Sequence, residues 1–210
     1  MAGNVIEAVL FDLGGVLLSS PFEAIERYER ERGVPPGSIR KINTADPDGN
    51  AWAQLERGEI DTATFAALFE AEARSRGVDV GALDVLALLF GDVRAEMVGA
   101  VDRLRAAGLR LGVVSNTPGP LPRSGVVGEV LERFDVVVES FVVGLRKPDP
   151  EIYRLALRKL GVEAAATVFL DDLGANLRPA RDLGIKTIKV TDPAAALREL
   201  AALTGVDLAQ

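Results

Sequence analysis

Ala8-Val9-Leu10-Phe11-Asp12-Leu13-Gly14-Gly15-Val16-Leu17 is the stretch on which the fold turns. An apolar run of strand type ends in a carboxylate, and two glycines follow at once. Such a run predicts a strand buried on both faces. Asp12 then stands at its carboxyl end, beside sterically open backbone. A ligand can approach an aspartate there closely, and a phosphate can use neighbouring backbone N–H groups such as that of Gly15. Gly14 is expected in a conformation open only to glycine. Taken alone, the segment fits an ordinary strand end and turn equally well.

Working outward, apolar or β-branched runs recur at 5–11, 110–115, 135–139, 167–171 and 186–190. Helical stretches at 94–107, 150–160 and 176–183 each end just before a glycine, the expected stop signal. A further helix is expected at 193–203. Strands alternating with helices predict βαβ units, hence an α/β fold with a Rossmann-like parallel sheet covered by helices. Residues 20–93 break the rhythm. They contain no convincing strand but several helical stretches, among them 22–32, 39–42 and 62–76. Too long for one crossover helix, they are read as an inserted helical cap subdomain over the sheet's carboxyl edge. Residues 1–19 and 94–210 then form the α/β core. The alternative is a set of extra helices packed on one sheet face.

Composition narrows the chemistry. The 210 residues carry a formal charge of −7, with 26% charged and 48% hydrophobic residues. No basic footprint is present for nucleic acid or an anionic membrane surface. There is no cysteine and no histidine. Disulfides, thiolate nucleophiles, His-ligated metals and Ser-His-Asp catalysis are excluded. No apolar run is long enough for a bilayer span, and no signal-peptide pattern opens the chain, so a cytoplasmic protein is expected. No feature of the sequence speaks to oligomeric state.

In open α/β sheets, ligands bind at the carboxyl ends of the strands where the winding reverses. Asp12, Ser115 with Asn116, and Asp171 with Asp172 all fall at such ends. If strands two and four flank strand one, these residues meet at one edge. Three carboxylates in one crevice repel and need a cation or protons. An all-oxygen set without His or Cys suits Mg²⁺. Lys147 offers a second counter-charge just ahead of a helix that Asp149 caps and Pro150 begins, a favourable place to hold an anion. Each residue also has an ordinary structural reading: a solvated lysine, a strand-to-loop turn, a helix N-cap.

Four motifs in this order resemble the haloacid dehalogenase superfamily of phosphatases: Phe11-Asp12-Leu13-Gly14-Gly15-Val16, Val113-Val114-Ser115-Asn116, Arg146-Lys147-Pro148-Asp149-Pro150 and Phe169-Leu170-Asp171-Asp172-Leu173-Gly174-Ala175-Asn176. The resemblance spans the whole chain, and the insert fits the family's helical (C1-type) cap. Residues 134–205 are similar to the N-terminal phosphatase domain of soluble epoxide hydrolase. Leu55-Glu56-Arg57-Gly58-Glu59-Ile60 is similar to bacterial sugar-1-phosphatases of the superfamily. The resemblance implies Mg²⁺-dependent hydrolysis of a small phosphorylated metabolite, with Asp12 as nucleophile forming an aspartyl-phosphate. Asp172 and the Gly14 carbonyl would bind the metal directly. Asp171 and Asn176 would act through water or through the other ligands. Ser115, Asn116 and Lys147 would hold the phosphoryl oxygens.

One position departs from the family pattern. A second aspartate usually lies two residues after the nucleophile, protonates the leaving group and then activates water; here it is Gly14. The expected consequences are a preference for good leaving groups, a proton supplied from the cap by Glu56 or Glu59, or a catalytically weak regulatory module. A dehalogenase of the same fold is a further alternative, against which the Asp171-Asp172 pair argues. Trp52, Glu56 and Arg57, just before the Gly58 turn, are the candidates for contacting the substrate from the cap.

Overall fold

The computed structural model describes residues 5–208; residues 1–4 and 209–210, expected in the core, lie outside the described residues. Five parallel strands form one sheet: β1 (Ala8–Phe11), β2 (Arg110–Ser115), β3 (Val136–Glu139), β4 (Thr167–Asp171) and β5 (Lys186–Lys189), in the order β3-β2-β1-β4-β5. The chain winds outward from β1 in both directions, so β2 and β4 flank it as expected. β1 is shorter than its apolar run because pairing begins only at Ala8, opposite Arg110 and Thr167. Val5, ahead of it, is exposed.

Between β1 and β2 lie α1 (Pro21–Glu31), α2 (Ser38–Ala45), α3 (Ala51–Glu56), α4 (Thr62–Ser75), α5 (Ala82–Ala87) and α6 (Ala95–Ala106). Then come α7 (Gly125–Leu131), α8 (Ser140–Val143), α9 (Pro150–Leu160), α10 (Gly174–Asp182) and α11 (Pro193–Thr204). Helices α3, α5, α7 and α8 are not among the helical stretches named from the sequence. They have four to seven residues, too few to establish a 3.6-residue period. Local signals placed α9 well: the Asp149 carboxylate caps it, Pro150 occupies its first turn and Gly161 closes it with φ 65°.

Strand alternation sorts side chains to two faces. Phe11, Val113 and Leu170 pack with Met97 and Leu104 of α6 and Leu200 of α11. Leu10, Val114 and Phe169 pack with Ile152 and Tyr153 of α9 and Leu177 of α10. Phe11 is fully buried and meets Phe134 edge-on at 5.8 Å. Burying one such side chain contributes roughly 1.5–3 kcal/mol. Helices α1–α5 gather around a cluster of their own, centred on Ile39, Leu55, Phe65 and Phe69. Trp52 lies edge-on to Phe65 at 5.2 Å. The chain enters and leaves this group through two paired segments. Leu18 bridges Val93 antiparallel, Ser19 N–H donates to Asp92 O (2.7 Å), and Arg94 N–H donates to Leu17 O (2.9 Å). Among the described residues no helix is long and apolar enough to cross a membrane.

Candidate active site

Parallel pairing brings the ends of β1 and β4 level. Asp12 N–H donates to Leu170 O at 2.9 Å, which sets Asp12 beside Asp171. Lys147 reaches both, its Nζ lying 2.8 Å from Asp12 Oδ1 and 2.7 Å from Asp171 Oδ2. Only 1% of Lys147 is exposed, so it is no solvated surface lysine. Asn116 holds the lysine's main chain from both sides: its Oδ1 accepts from Lys147 N–H (2.8 Å), and its Nδ2 donates to Lys147 O (3.0 Å). The Asn116 side-chain amide thus positions the lysine's main chain, and Asn116 also borders the cavity described below.

Asp171 is fully buried and satisfied. It accepts from Lys147, from Leu173 N–H (2.8 Å) and from Asn176 Nδ2 (3.0 and 3.1 Å). Asn176 is anchored in turn by Tyr153, whose hydroxyl donates to its carbonyl at 2.7 Å. Asp172, unlike Asp171, borders an open cavity of about 500 Å³ together with Asp12, Gly14, Ser115, Lys147 and Asn176.

Asp12, Asp171 and Asp172 offer oxygens that lie within 4.8 Å of one another. One ammonium faces three carboxylates. Burial pushes Asp12 up to about 7 against the pull of Lys147, with repulsion from Asp171 and Asp172 adding to the rise. Burial, then Asp171, pushes Asp172 up to about 6. Burial alone would lower the Lys147 pKa, but Asp12 and Asp171 outweigh it and hold the ammonium above the usual lysine range. This surplus of negative charge on an all-oxygen donor set fits a hard divalent cation.

The two glycines have different tasks. Gly15 has φ 75°, and a Cβ there would lie 2.3 Å from Asp172 Oδ2. Only glycine lets that carboxylate sit against the turn. Gly14, contrary to expectation, has φ −70° and ψ 134°, an ordinary extended conformation. A Cβ on Gly14 would meet nothing nearer than Pro21 Cδ at 3.9 Å. Gly15 does not border the cavity; its carbonyl accepts from Arg94 Nη1 at 3.0 Å.

Of the three residues expected to face substrate from the cap, Trp52 and Glu56 line the cavity. Arg57 does not, because Glu59 holds its guanidinium through two bonds of 2.6 and 2.8 Å. Both Glu56 oxygens are already accepting, Oε1 from Trp52 Nε1 (2.9 Å) and Oε2 from Arg146 Nε (2.7 Å). Arg146 also donates to Pro47 O at 2.8 Å. Arg146, Arg94 and Thr117 were not singled out from the sequence. Arg146 adjoins Lys147 and Thr117 adjoins Asn116 in the sequence, whereas Arg94 adjoins no candidate residue.

A family model described as haloacid dehalogenase-like hydrolase matches residues 6–184. The chain is 37% identical over 212 residues to acyl-CoA dehydrogenase family member 10 of Mus musculus, covering 98% of this chain and 20% of that protein. It is 33% identical over 221 residues to bifunctional epoxide hydrolase 2 of Sus scrofa, covering 98% of this chain and 40% of that protein. It thus spans well under half the length of either. Sesquiterpene phosphatase astK of Aspergillus oryzae is 27% identical over 96% of this chain and 98% of its own length. Among solved structures, a HAD-like family hydrolase from Porphyromonas gingivalis superposes with a TM-score of 0.62 at 26% identity, covering 93% of this chain and 98% of that one.

Proposed function

Because this chain belongs to the haloacid dehalogenase-like hydrolases, we propose that it hydrolyses a small phosphate monoester through a covalent aspartyl-phosphate. The observation that carries this reading is the convergence of Asp12, Ser115, Lys147 and Asp172 on one wall of a single cavity. Relatives named as phosphatases, the sesquiterpene phosphatase among them, support a phosphate-ester substrate. Residues 1–19 and 94–210 act as the catalytic core and 20–93 as a cap. The separate apolar cluster of α1–α5 and the paired linkers at Leu18 and Val93 support that division.

Leu13 N–H (2.7 Å) and Lys147 both bind Oδ1 of Asp12, which leaves Oδ2 for phosphorus. Oδ2 attacks in line, the P–O bond to the leaving group breaks, and the departing oxygen takes the electron pair. Water then attacks phosphorus, the P–Oδ2 bond breaks to return the Asp12 carboxylate, and the water's protons leave with the released phosphate. Lys147 and the Ser115 hydroxyl stabilise the charge on the phosphoryl oxygens. Asp12, Asp172 and the Gly14 carbonyl would hold Mg²⁺, which when bound neutralises charge on the phosphate. Asp171 and Asn176 keep those ligands in place.

No acid stands at Gly14, and the cap glutamates are poor substitutes. Glu56 has both oxygens engaged, and Glu59 lies outside the cavity, paired with Arg57. Good leaving groups are therefore favoured. Phosphate release from 4-nitrophenyl phosphate should require Mg²⁺. Asp172→Ala should shift the Mg²⁺ titration further than Asn176→Ala. Full activity after exhaustive chelation would overturn this reading.

The crowded carboxylates also set a pH dependence of stability. Asp12 and Asp172 titrate higher when folded than their ordinary value of 3.8. The folded state therefore binds more protons between about pH 4 and pH 7, and metal-free stability falls as pH rises through that window. Mg²⁺ binds the ionised carboxylates and should raise Tm more at about pH 8 than at about pH 5. Thermal melts with and without Mg²⁺ check this. A metal-free Tm that climbs between those pH values would contradict the clustering.

A further inference from the structure

We propose that Glu139 and Ser140, at the end of β3, are positioning residues: together they clamp the loop that follows β2, so that Ser115 and Lys147 are held against the phosphoryl group. The proposal rests on the phosphatase reading above.

The loop runs from Asn116 to Ser124 and begins Thr117-Pro118-Gly119-Pro120-Leu121-Pro122. Proline has no N–H, so over these six residues only Thr117, Gly119 and Leu121 can donate from the main chain. Two of those three donors go to the end of β3. Thr117 N–H donates to Ser140 Oγ at 2.9 Å, and Leu121 N–H donates to Glu139 Oε2 at 2.6 Å. The other Glu139 oxygen pairs with Arg123, a second hold on the same loop. At its far end the loop lies against α7, where a Cβ on Gly128 would come within 2.6 Å of the Arg123 carbonyl carbon.

A glutamate at a strand end usually reaches water. Glu139 is only 3% exposed and Ser140 is fully buried, whereas the Arg123 side chain is 61% exposed. Burying a carboxylate is unfavourable unless it is paired and hydrogen-bonded, and the loop supplies both partners. The clamp also stands in the right place. The sheet register sets Ser115 opposite Glu139, so these bonds carry the pairing of β2 and β3 past the sheet edge, directly beside Ser115. Neither Glu139 nor Ser140 borders the cavity, and they act on it only through the loop. Asn116, one residue before the clamped Thr117, holds the main chain of Lys147 through both its amide atoms. Release of the loop therefore loosens Ser115 and Lys147 together, the two groups that stabilise phosphoryl charge.

The test is the competitive Ki of inorganic phosphate, measured with Mg²⁺ by release of 4-nitrophenol from 4-nitrophenyl phosphate. Ki does not depend on the fraction of protein that is folded, so a variant that only loses stability keeps the wild-type value. Glu139→Leu removes both of the carboxylate's holds on the loop. It should raise Ki about tenfold and lower kcat/KM roughly 10- to 10²-fold. Glu139→Gln keeps an acceptor for Leu121 N–H and should recover most of that loss. Ser140→Ala removes one oxygen, a change small enough to leave the fold intact, and should raise Ki roughly twofold to tenfold. Should Glu139→Leu fail to fold, Ser140→Ala decides the question. Wild-type Ki in folded Ser140→Ala and Glu139→Leu, or a folded Glu139→Gln as impaired as Glu139→Leu, would overturn the inference and leave the phosphatase reading standing. No turnover of 4-nitrophenyl phosphate by the wild type would overturn both readings together.

Discussion

Asp12→Asn should reduce phosphate release by about 10⁴-fold or more while the protein stays folded. The amide oxygen is a poor nucleophile and carries no charge to balance Lys147 or a divalent ion. The fold has little reason to respond. Asparagine is nearly isosteric, and its Oδ1 can still accept from Leu13 N–H, which lies 2.7 Å from the carboxylate oxygen. The substitution also relieves crowding, because one of three carboxylates within 4.8 Å disappears. Metal-free Asn-substituted protein should therefore melt at or above the wild-type temperature above about pH 7, where Asp12 ionises against its neighbours. Loss of turnover together with an unchanged or raised Tm is the expected pair of results. A folded variant that still turns over would show that another group attacks phosphorus.

The frame of this site was legible in the sequence because it rests on local rules. Apolar runs ending in Asp12, Ser115 and Asp171 marked strand ends, and outward winding from β1 brought those ends together. Asp149-Pro150 marked the start of α9 and so placed Lys147 ahead of it. What was not legible depends on contacts between distant segments. The Asn116 amide turns to a lysine main chain 31 residues away. Glu56 pairs with an arginine 90 residues away, and Arg94 donates to a carbonyl 79 residues away. No periodicity or spacing encodes such pairings. Arg57 illustrates the reverse case. It sits beside Glu56 in sequence, yet a local pair with Glu59 keeps it from the cavity. The two glycines show the limit of reading conformation from residue type. Either could take positive φ; in the folded chain Gly15 does, packed against Asp172, and Gly14 does not.

That distinction makes Gly14→Asp an informative change, and it should raise turnover of alkyl phosphates on the order of 10²-fold, with ~10²–10⁴-fold the usual worth of general acid–base assistance. The backbone at Gly14, with φ −70° and ψ 134°, is open to any L-residue. Its nearest neighbour, Pro21 Cδ, would lie 3.9 Å from a Cβ, an ordinary contact. Gly14 borders the same cavity as Asp12 and Ser115, so a carboxyl added there would border that cavity too. Asp12, Asp171 and Asp172 repel a fourth negative charge, which favours the protonated form of the new carboxyl and hence its role as acid. The same repulsion costs some metal-free stability, which Mg²⁺ should restore. In the wild type the departing oxygen carries its own charge, so log kcat/KM should fall steeply as leaving-group pKa rises. In the variant the slope should flatten, with little change for aryl esters and the largest gain for alkyl esters. Phosphate esters of graded leaving-group pKa, measured on both proteins with chemistry limiting the rate, read the two slopes directly. A wild-type series that is already flat would mean that a proton donor other than residue 14 is in place. Parallel slopes in a folded variant would mean that a carboxyl at this position cannot reach the departing oxygen.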